Sequence, residues 1–399
     1  DDMTEERVFI SGAGPVGLSA AARLIQHGVP VTVFEAGSNL ATESRASTFH
    51  PSTLDMLDEL DAAAPLEAQG LRAPSLQYRS KSDGLIARFD FGDIADLTKH
   101  PFRLQCEQWR LTRILLDKLT LDPDFEIVFS NGVEDCHQDA DSVTVVLTRG
   151  ERTGRWLIGA DGASSHVRRA IGLTFEGFTW PDRFLVLSTP FEFADEIPDL
   201  DPVSYVADPQ QWHFLLRIPG LWRVMLPIAK DITDQTALDP DYGSRCLDWV
   251  ANGAGPSEVV HRTLYKVHQR VAETFRKGRV FLTGDAAHIN NPLGGMGMNG
   301  GIHDAFNLAD RLALVWMGCS DATQLDLYDL QRRTVTMEAV QVQTIQNKRD
   351  MEFASENDQA EFRNRLRNIK SDPKQNRAYL ERISMMESLK RAAEISLLH

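Results

Sequence analysis

The sequence predicts an α/β chain in which a parallel sheet with covering helices is interrupted by an inserted antiparallel sheet and followed by a helical C-terminal region. Three observations carry that expectation. Residues 8–35 read strand, helix, strand, the order of a βαβ unit. Residues 184–228 alternate apolar and polar side chains between Pro and Gly turns, the texture of an antiparallel sheet with one covered face. From Ile302 onward charge is dense and helix breakers are few. This order fits a second domain inserted into a discontinuous first one better than domains in series.

Taken in order, VFIS at 8–11 is a short apolar strand, 15–26 has helical apolar spacing, and 31–35 is a second strand after the turn at Gly28. Helices are expected at 54–60 and 109–119, and strands at 127–129 and 143–147, the latter alternating. Residues 156–158 form a strand running into Gly159-Ala160-Asp161-Gly162. WHFLLR at 212–217 and WRVML at 222–226 are the clearest strands of the antiparallel section. The α/β texture returns at Gly278, with a buried-type strand at 278–282. No internal repeat or low-complexity linker is present.

At 399 residues and 42% apolar content the chain can bury a substantial core over two or three domains. Lys and Arg total 42 against 57 Asp and Glu, so the net charge of −15 disfavours a broad nucleic-acid surface or attraction to anionic lipid. Small molecules are the expected partners. Cys106, Cys136, Cys246 and Cys319 stand singly, which fits reduced thiols rather than disulfides or a zinc site, and no metal is expected. No apolar run approaches the roughly 20 residues that span a bilayer, and the N-terminus has no basic segment followed by an apolar one. A cytoplasmic location without membrane partners is expected.

Gly12, Gly14 and Gly17, with Pro15 between the last two, form GxGxxG at a strand-to-helix turn. Such glycines allow the tight turn, close approach of a pyrophosphate and close helix packing, while the helix N-terminus supplies partial positive charge. Glu35 ends the next strand 18 residues after Gly17, where a carboxylate can accept both ribose hydroxyls of an adenosine. Glycines present for packing alone leave Glu35 unexplained, so a Rossmann-like dinucleotide turn is expected.

The second motif is GRVFLTGDAAHINNPLGGMGMNGG at 278–301. Asp285 at a strand end can bind a polyol hydroxyl. Gly294, Gly295, Gly297, Gly300 and Gly301 leave room for backbone amides to face a flat ligand. A capped turn alone does not account for five glycines in eight residues. Ser164, Ser165 and His166 do not make a hydrolase triad, since neighbours in one turn cannot point at one another in the required order.

With these residues in view, the chain resembles the single-component, class A FAD-dependent aromatic hydroxylases, the para-hydroxybenzoate hydroxylase-like family, collinearly over most of its length. The resemblance implies bound FAD and NADH or NADPH as a transient reductant. It places Gly12, Gly14, Pro15 and Gly17 at the FAD pyrophosphate and Glu35 at the adenosine ribose. Arg45 falls near the flavin phosphate and ribityl chain, Gln108 beside that chain, and the backbone of Val133 at the adenine. Asp161 supports both FAD and pyridine nucleotide, and Asp285 binds the ribityl chain. The Pro292 carbonyl falls near the reactive carbon of the isoalloxazine, and Gly297, Met298 and Asn299 surround its pyrimidine edge. His288 holds the turn beneath the flavin. Ala36 and Gly37 follow Glu35 where a basic residue marks an NADPH preference, so the choice of nucleotide stays open. No second GxGxxG is present for the nicotinamide nucleotide.

The implied activity is hydroxylation of a phenol-like aromatic or heteroaromatic small molecule with NAD(P)H and O2, through a flavin hydroperoxide. The expected division is a discontinuous FAD-binding domain at 1–75, 101–180 and 271–310, an inserted substrate-binding sheet at 76–100 and 181–270, and a helical region at 311–399. Substrate is expected between that sheet and the flavin, over Pro292, Leu293 and Gly294. Tyr205, His213, Leu215, Arg217, Trp222 and Met225 are the candidate wall, and any one of them can equally face an ordinary core. Tyr205 or His213 is the candidate relay for the phenolic proton, and Arg217 the candidate contact for an acidic substituent. Two alternatives share the Rossmann signature: a flavoprotein reductase or dehydrogenase without oxygen insertion, and a non-catalytic flavin-binding interaction protein. The helical region covers the flavin domain or makes a dimer face, leaving monomer and homodimer both open.

Overall fold

The computed structural model describes residues 3–43, 46–352 and 355–397. Arg45, expected beside the flavin, lies outside the described residues.

Val8–Ser11 is buried along its whole length and pairs in parallel with Val31–Phe34 on one side and Trp156–Gly159 on the other. Phe125–Val128 and Val280–Leu282 extend the sheet in parallel, and Arg276–Lys277 adds an antiparallel edge. Parallel strands covered on both faces need continuous apolar runs, which is why VFIS, VTVF and WLIG do not alternate. The helices Pro15–Gln26 and Gly297–Trp316 lie against each other over this sheet.

The second sheet has eight strands, in the spatial order His288–Ile289, His261–Ala272, Phe175–Thr189, Leu221–Ile228, His213–Ile218, Val203–Ala207, Ser75–Ser80 and Gly84–Asp90. Neighbours run antiparallel except Val203–Ala207 beside Ser75–Ser80. The alternation seen at 184–228 arises because each strand there faces two different apolar clusters. One contains Phe184, Tyr205, Phe214 and Met225, the other Leu185, Leu215, Trp222 and Val224. Phe175–Thr189 runs through residue 180 with an irregular register between Thr179 and Arg183, as a bulge allows. That strand pairs with Leu221–Ile228 and His261–Ala272 inside this sheet, and His288–Ile289, from within the second glycine motif, completes it.

After Gly297–Trp316 come the helices Asp326–Val335, Val342–Met351, Glu356–Ser371, Pro373–Ile383 and Met386–Glu394, with a π-helical turn at Thr336–Gln341. Leu325 and Tyr328 pack into the first core, and the Tyr328 hydroxyl donates to the Leu282 carbonyl. Phe362, Leu366, Tyr379, Ile383 and Met386 share a cluster with the inner face of the eight-stranded sheet, so the C-terminal helices cover that face. Among the described residues no helix is long and apolar enough to cross a membrane, and no group of three or more His, Cys, Asp or Glu could hold a metal. The four cysteines are free, and burial pushes the Cys106 and Cys136 thiols up to about 12, which keeps them protonated.

Candidate active site

Each glycine of GxGxxG has its own physical reason. Gly12 has a φ of +106°, and a Cβ there would lie 2.3 Å from the Ala160 carbonyl oxygen. A Cβ on Gly17 would lie 2.1 Å from the Gly12 carbonyl oxygen, so only glycine lets the helix cross the strand this closely. A Cβ on Gly14 would meet nothing within 4 Å, and the helix starts there, with Pro15 in its first turn and no side-chain cap. Uncapped amides beside open space are what a pyrophosphate requires. Glu35 is held at the same turn: Ala13 N–H donates to Oε2 at 2.8 Å and Gly37 N–H to Oε1 at 2.8 Å. Gly132 packs against Ala36, which sets Val133 beside the Glu35 end of the turn. These residues fit an FAD adenylate.

The Asp161–Gly162 turn and the Asp285 turn close on the same place. Asp161 accepts from Ser165 Oγ at 2.5 Å and Val167 N–H at 3.1 Å, shaping the turn whose Ala160 abuts Gly12. Arg168 in the following helix donates to the Ala286 carbonyl at 2.9 Å. Asp285 is exposed between buried Gly284 and Ala286. A Cβ on Gly284 would lie 3.0 Å from Val16 Cγ2, so the two glycine motifs meet at Val16. Gln108 opens the helix Gln108–Leu119, its N–H donating to the Ala46 carbonyl at 3.2 Å.

The glycines after Pro292 do not all serve one purpose, and one expectation needs correction. Gly294 and Gly295 have positive φ, +92° and +64°, in the turn where Gly295 N–H donates to the Pro292 carbonyl at 3.1 Å. Gly301 sits inside the helix Gly297–Trp316, and a Cβ there would lie 2.6 Å from Val16 Cγ2. Gly301 therefore opens space for packing against the first motif, not for a ligand. Met298 and Asn299 are in the first turn of that helix and buried. The Asn299 amide is used within the protein: Nδ2 donates to the Thr48 and Gly295 carbonyls at 2.9 and 2.6 Å, and Oδ1 accepts from His50 N–H at 2.9 Å.

The expected substrate wall divides between two faces of the sheet. Tyr205 opposes Phe214, and Phe214 opposes Met225, so these share the inner face with Leu293 of the second glycine loop, next to buried Gly294. His213 opposes Val206, Leu215 opposes Val224, and Arg217 opposes Trp222, all on the outer face. In these hairpins odd-numbered residues pair with even-numbered ones, so Tyr205 and His213, both odd, end on opposite sides. Leu215 and Trp222 belong to the outer core. Arg217 is paired with Glu192, which also accepts from Trp222 Nε1 at 2.8 Å. It is thus a structural ion pair, not a substrate contact. His213 donates from Nδ1 to the Gln211 carbonyl at 3.0 Å and lines an outer cavity of about 430 Å3 with Arg79, Lys81 and Val206. It is no relay to the inner face; of the two candidates only Tyr205 is placed for one.

Burial pushes the His213 imidazole down to about 4. An unfolded histidine titrates near 6.5. The stability contributed by keeping this ring neutral is present above the unfolded value and is lost as pH falls toward the folded one. At pH 5 the unfolded state binds the extra proton, a loss of about 2 kcal/mol. Urea midpoints measured at pH 7 and pH 5 should show this loss, and His213→Gln should flatten the dependence; an unchanged slope would show that His213 is not the group responsible.

Several residues of the site carry no motif. Asp304, fully buried, accepts from His288 Nε2 at 2.6 Å, Arg332 Nε at 2.7 Å and Gly284 N–H at 3.2 Å. Burial pushes its carboxyl up, but His288 and Arg332 outweigh that and hold it below its ordinary value. His50 places Nε2 2.9 Å from the carbonyls of Gly294 and Gly295, so Nε2 bears the proton, and burial holds the ring far below the usual histidine range. Arg103, Gln105 and Arg223 are buried on the same side, Arg223 donating to Ser47 Oγ at 2.9 Å. Their only signal in the sequence is polar residues at alternate positions of an apolar strand, as in FRLQC.

A dinucleotide turn, a second glycine loop packed onto it and a covered antiparallel sheet over that loop define an FAD-dependent aromatic monooxygenase of the single-component class. The chain matches the family model described as FAD binding domain over residues 5–343, and it belongs to that family. It is 34% identical over 343 residues to para-nitrophenol 4-monooxygenase of Pseudomonas sp. (strain WBC-3), covering 84% of each chain. It is 34% identical over 360 residues to 6-hydroxy-3-succinoylpyridine 3-monooxygenase of Pseudomonas putida, covering 87% of this chain and 89% of that one. The crystal structure of p-nitrophenol 4-monooxygenase from Pseudomonas putida DLL-E4 superposes with a TM-score of 0.90 at 30% identity, covering 99% of this chain and 100% of that chain. The enzyme uses FAD, with NADH or NADPH as reductant, to hydroxylate an aromatic substrate with O2. This sets aside the reductase and the non-catalytic alternatives.

Proposed function

We propose that the substrate is a single-ring phenol or hydroxypyridine carrying an oxygen-bearing substituent. The observation that carries this reading is the inner sheet face: Tyr205 and Met225 lie in one apolar cluster with Leu293 of the flavin loop, closed over by Tyr379 and Ile383 of the C-terminal helices. The two monooxygenases to which the chain is 34% identical over most of its length are named for a nitrophenol and a hydroxypyridine. When bound, FAD supplies the redox and oxygen chemistry.

The chain's own residues bind, orient and exclude water. In this reading Gly12, Gly14, Pro15 and Gly17 take the pyrophosphate, Glu35 the ribose, Val133 the adenine, and Gln108, Asp161 and Asp285 the linking chain. Pro292, Gly297, Met298 and Asn299 border the ring system, and Leu293 and Gly294 form the floor under the substrate. Tyr205 faces that floor with its hydroxyl beside Arg103 Nη1, and Met225 packs on the ring. The covering helices keep bulk water from the chamber. We place the enzyme in the cytoplasm, where NAD(P)H is supplied, as a monomer or homodimer.

The test is O2 uptake and product analysis on the purified yellow protein with NADH or NADPH and a panel of 4-substituted phenols, hydroxypyridines and fused polycyclic phenols. Oxygenated products from the single-ring members are expected. Turnover confined to the polycyclic members would sink the reading.

A further inference from the structure

We propose that Arg103 and Gln105 hold the oxygen atoms of the substrate's ring substituent and so determine which substituted rings this enzyme accepts. The inference rests on the aromatic hydroxylase reading of the chamber. Both residues lie on Arg103–Gln105, the middle strand of a small sheet between Thr48–Phe49 and Leu71–Ala73. Two apart on a strand, they project from one face. Thr48 opposes Gln105, and its Oγ1 donates to Gln105 Oε1 at 2.8 Å. That face looks onto the flavin loop: a Cβ on Gly295 would lie 3.3 Å from Thr48 Cβ and 3.6 Å from His50 Nε2. From the same face the Arg103 guanidinium reaches across to the chamber, with Nη1 3.5 Å from the Tyr205 hydroxyl and Nη2 donating to the Ile383 carbonyl at 3.3 Å.

What is missing there points to a ligand. Arg103 is 2% exposed and Gln105 fully buried, yet Arg103 Nε and Gln105 Nε2 have no hydrogen-bond partner. Among the described residues no carboxylate forms an ion pair with Arg103; the Phe91 ring lies 5.7 Å from the guanidinium carbon, and His50 and Tyr379 are near enough to feel its charge. A buried guanidinium without an anion, beside an unsatisfied amide, is unfavourable unless something else brings oxygen atoms to it. The edge of a guanidinium suits a planar group with two oxygens, such as a nitro group or a carboxylate. His50 adds the complement: with Nε2 donating to carbonyls, its Nδ1 is an acceptor, and it too is buried without a partner. The chamber therefore offers donors for an oxygen-bearing substituent and an acceptor for a hydroxyl.

The experiment is titration of the flavin absorbance of the holoprotein with 4-nitrophenol and with 4-methylphenol, which has the same ring and hydroxyl but no oxygens on its substituent. Arg103→Met should raise Kd for 4-nitrophenol by about 10- to 100-fold while 4-methylphenol changes little, since a hydrogen bond to a charged donor is lost only in the first case. Gln105→Leu should shift the ratio in the same direction by a smaller factor, and Arg103→Lys should recover part of it. Equal weakening of both phenols, or an unchanged ratio with flavin content intact, overturns the proposal in favour of a packing role beneath Phe91 and Ile383. If Arg103→Met does not fold, Gln105→Leu decides on the same ratio. A wild-type protein that neither binds nor turns over any phenol instead overturns the substrate reading above.

Discussion

Asp304→Ala is expected to destabilise the protein by about 3–5 kcal/mol, the cost of leaving a buried charge without its partner. Asp304 is fully buried, and Arg332 and His288 are each 1% exposed, so no water can replace the carboxylate. The same carboxylate accepts from Gly284 N–H, so its loss also frees the turn that carries Asp285. Flavin content should fall with stability. Asp304→Asn keeps the shape and one acceptor and should cost less. The paired replacement Asp304→Leu with Arg332→Met should recover much of the loss, because it removes the stranded charge along with its partner. Urea denaturation of the three variants checks this; a double variant no more stable than Asp304→Ala would show that the charge balance is not what Asp304 provides.

Gly17→Ala and Gly14→Ala are expected to separate folding from cofactor binding. At Gly17 the new methyl group would lie 2.1 Å from a backbone oxygen that cannot swing away, so the first helix must shift from the strand. A cost of about 1–3 kcal/mol follows from overpacking, together with lost flavin affinity because the helix N-terminus moves. At Gly14 the methyl group meets no protein atom within 4 Å. Its φ of −78° is ordinary for alanine, so the apoprotein should melt near the wild-type temperature. It should nevertheless lose flavin, since the methyl group occupies the space through which the pyrophosphate approaches. Melting curves of the apoproteins and flavin titration of each variant check the contrast. Full flavin occupancy in Gly14→Ala would remove the pyrophosphate from this turn.

The part of the site legible in the sequence is the part governed by local backbone. The strand Val8–Ser11, the helix Pro15–Gln26 and the strand Val143–Leu147 fall where their patterns put them, because period and turn residues act over a few positions. Strands such as Val133–Gln138 and Ser75–Ser80 carry no clean alternation, since polar and charged residues interrupt it. The glycines of 294–301 do not form one ligand surface, since Gly301 packs on Val16. Residue type shows that a side chain is absent, but whether a ligand or Val16 occupies the space depends on a segment far away in the chain.

The sequence by itself determined the cofactor turn, because positive φ and close backbone approach restrict residue type directly, so Gly12, Gly17 and Glu35 announce their surroundings. Only the tertiary structure decided the substrate side. Which face Tyr205 or His213 occupies depends on hairpin register, and one position of slip exchanges the faces. The partners of buried charge are likewise set by packing: Asp304 meets Arg332 from another helix, and Arg103 reaches Tyr205 from a different sheet. Nothing local to those residues specifies such meetings, because the free energy that selects them comes from burying whole elements together.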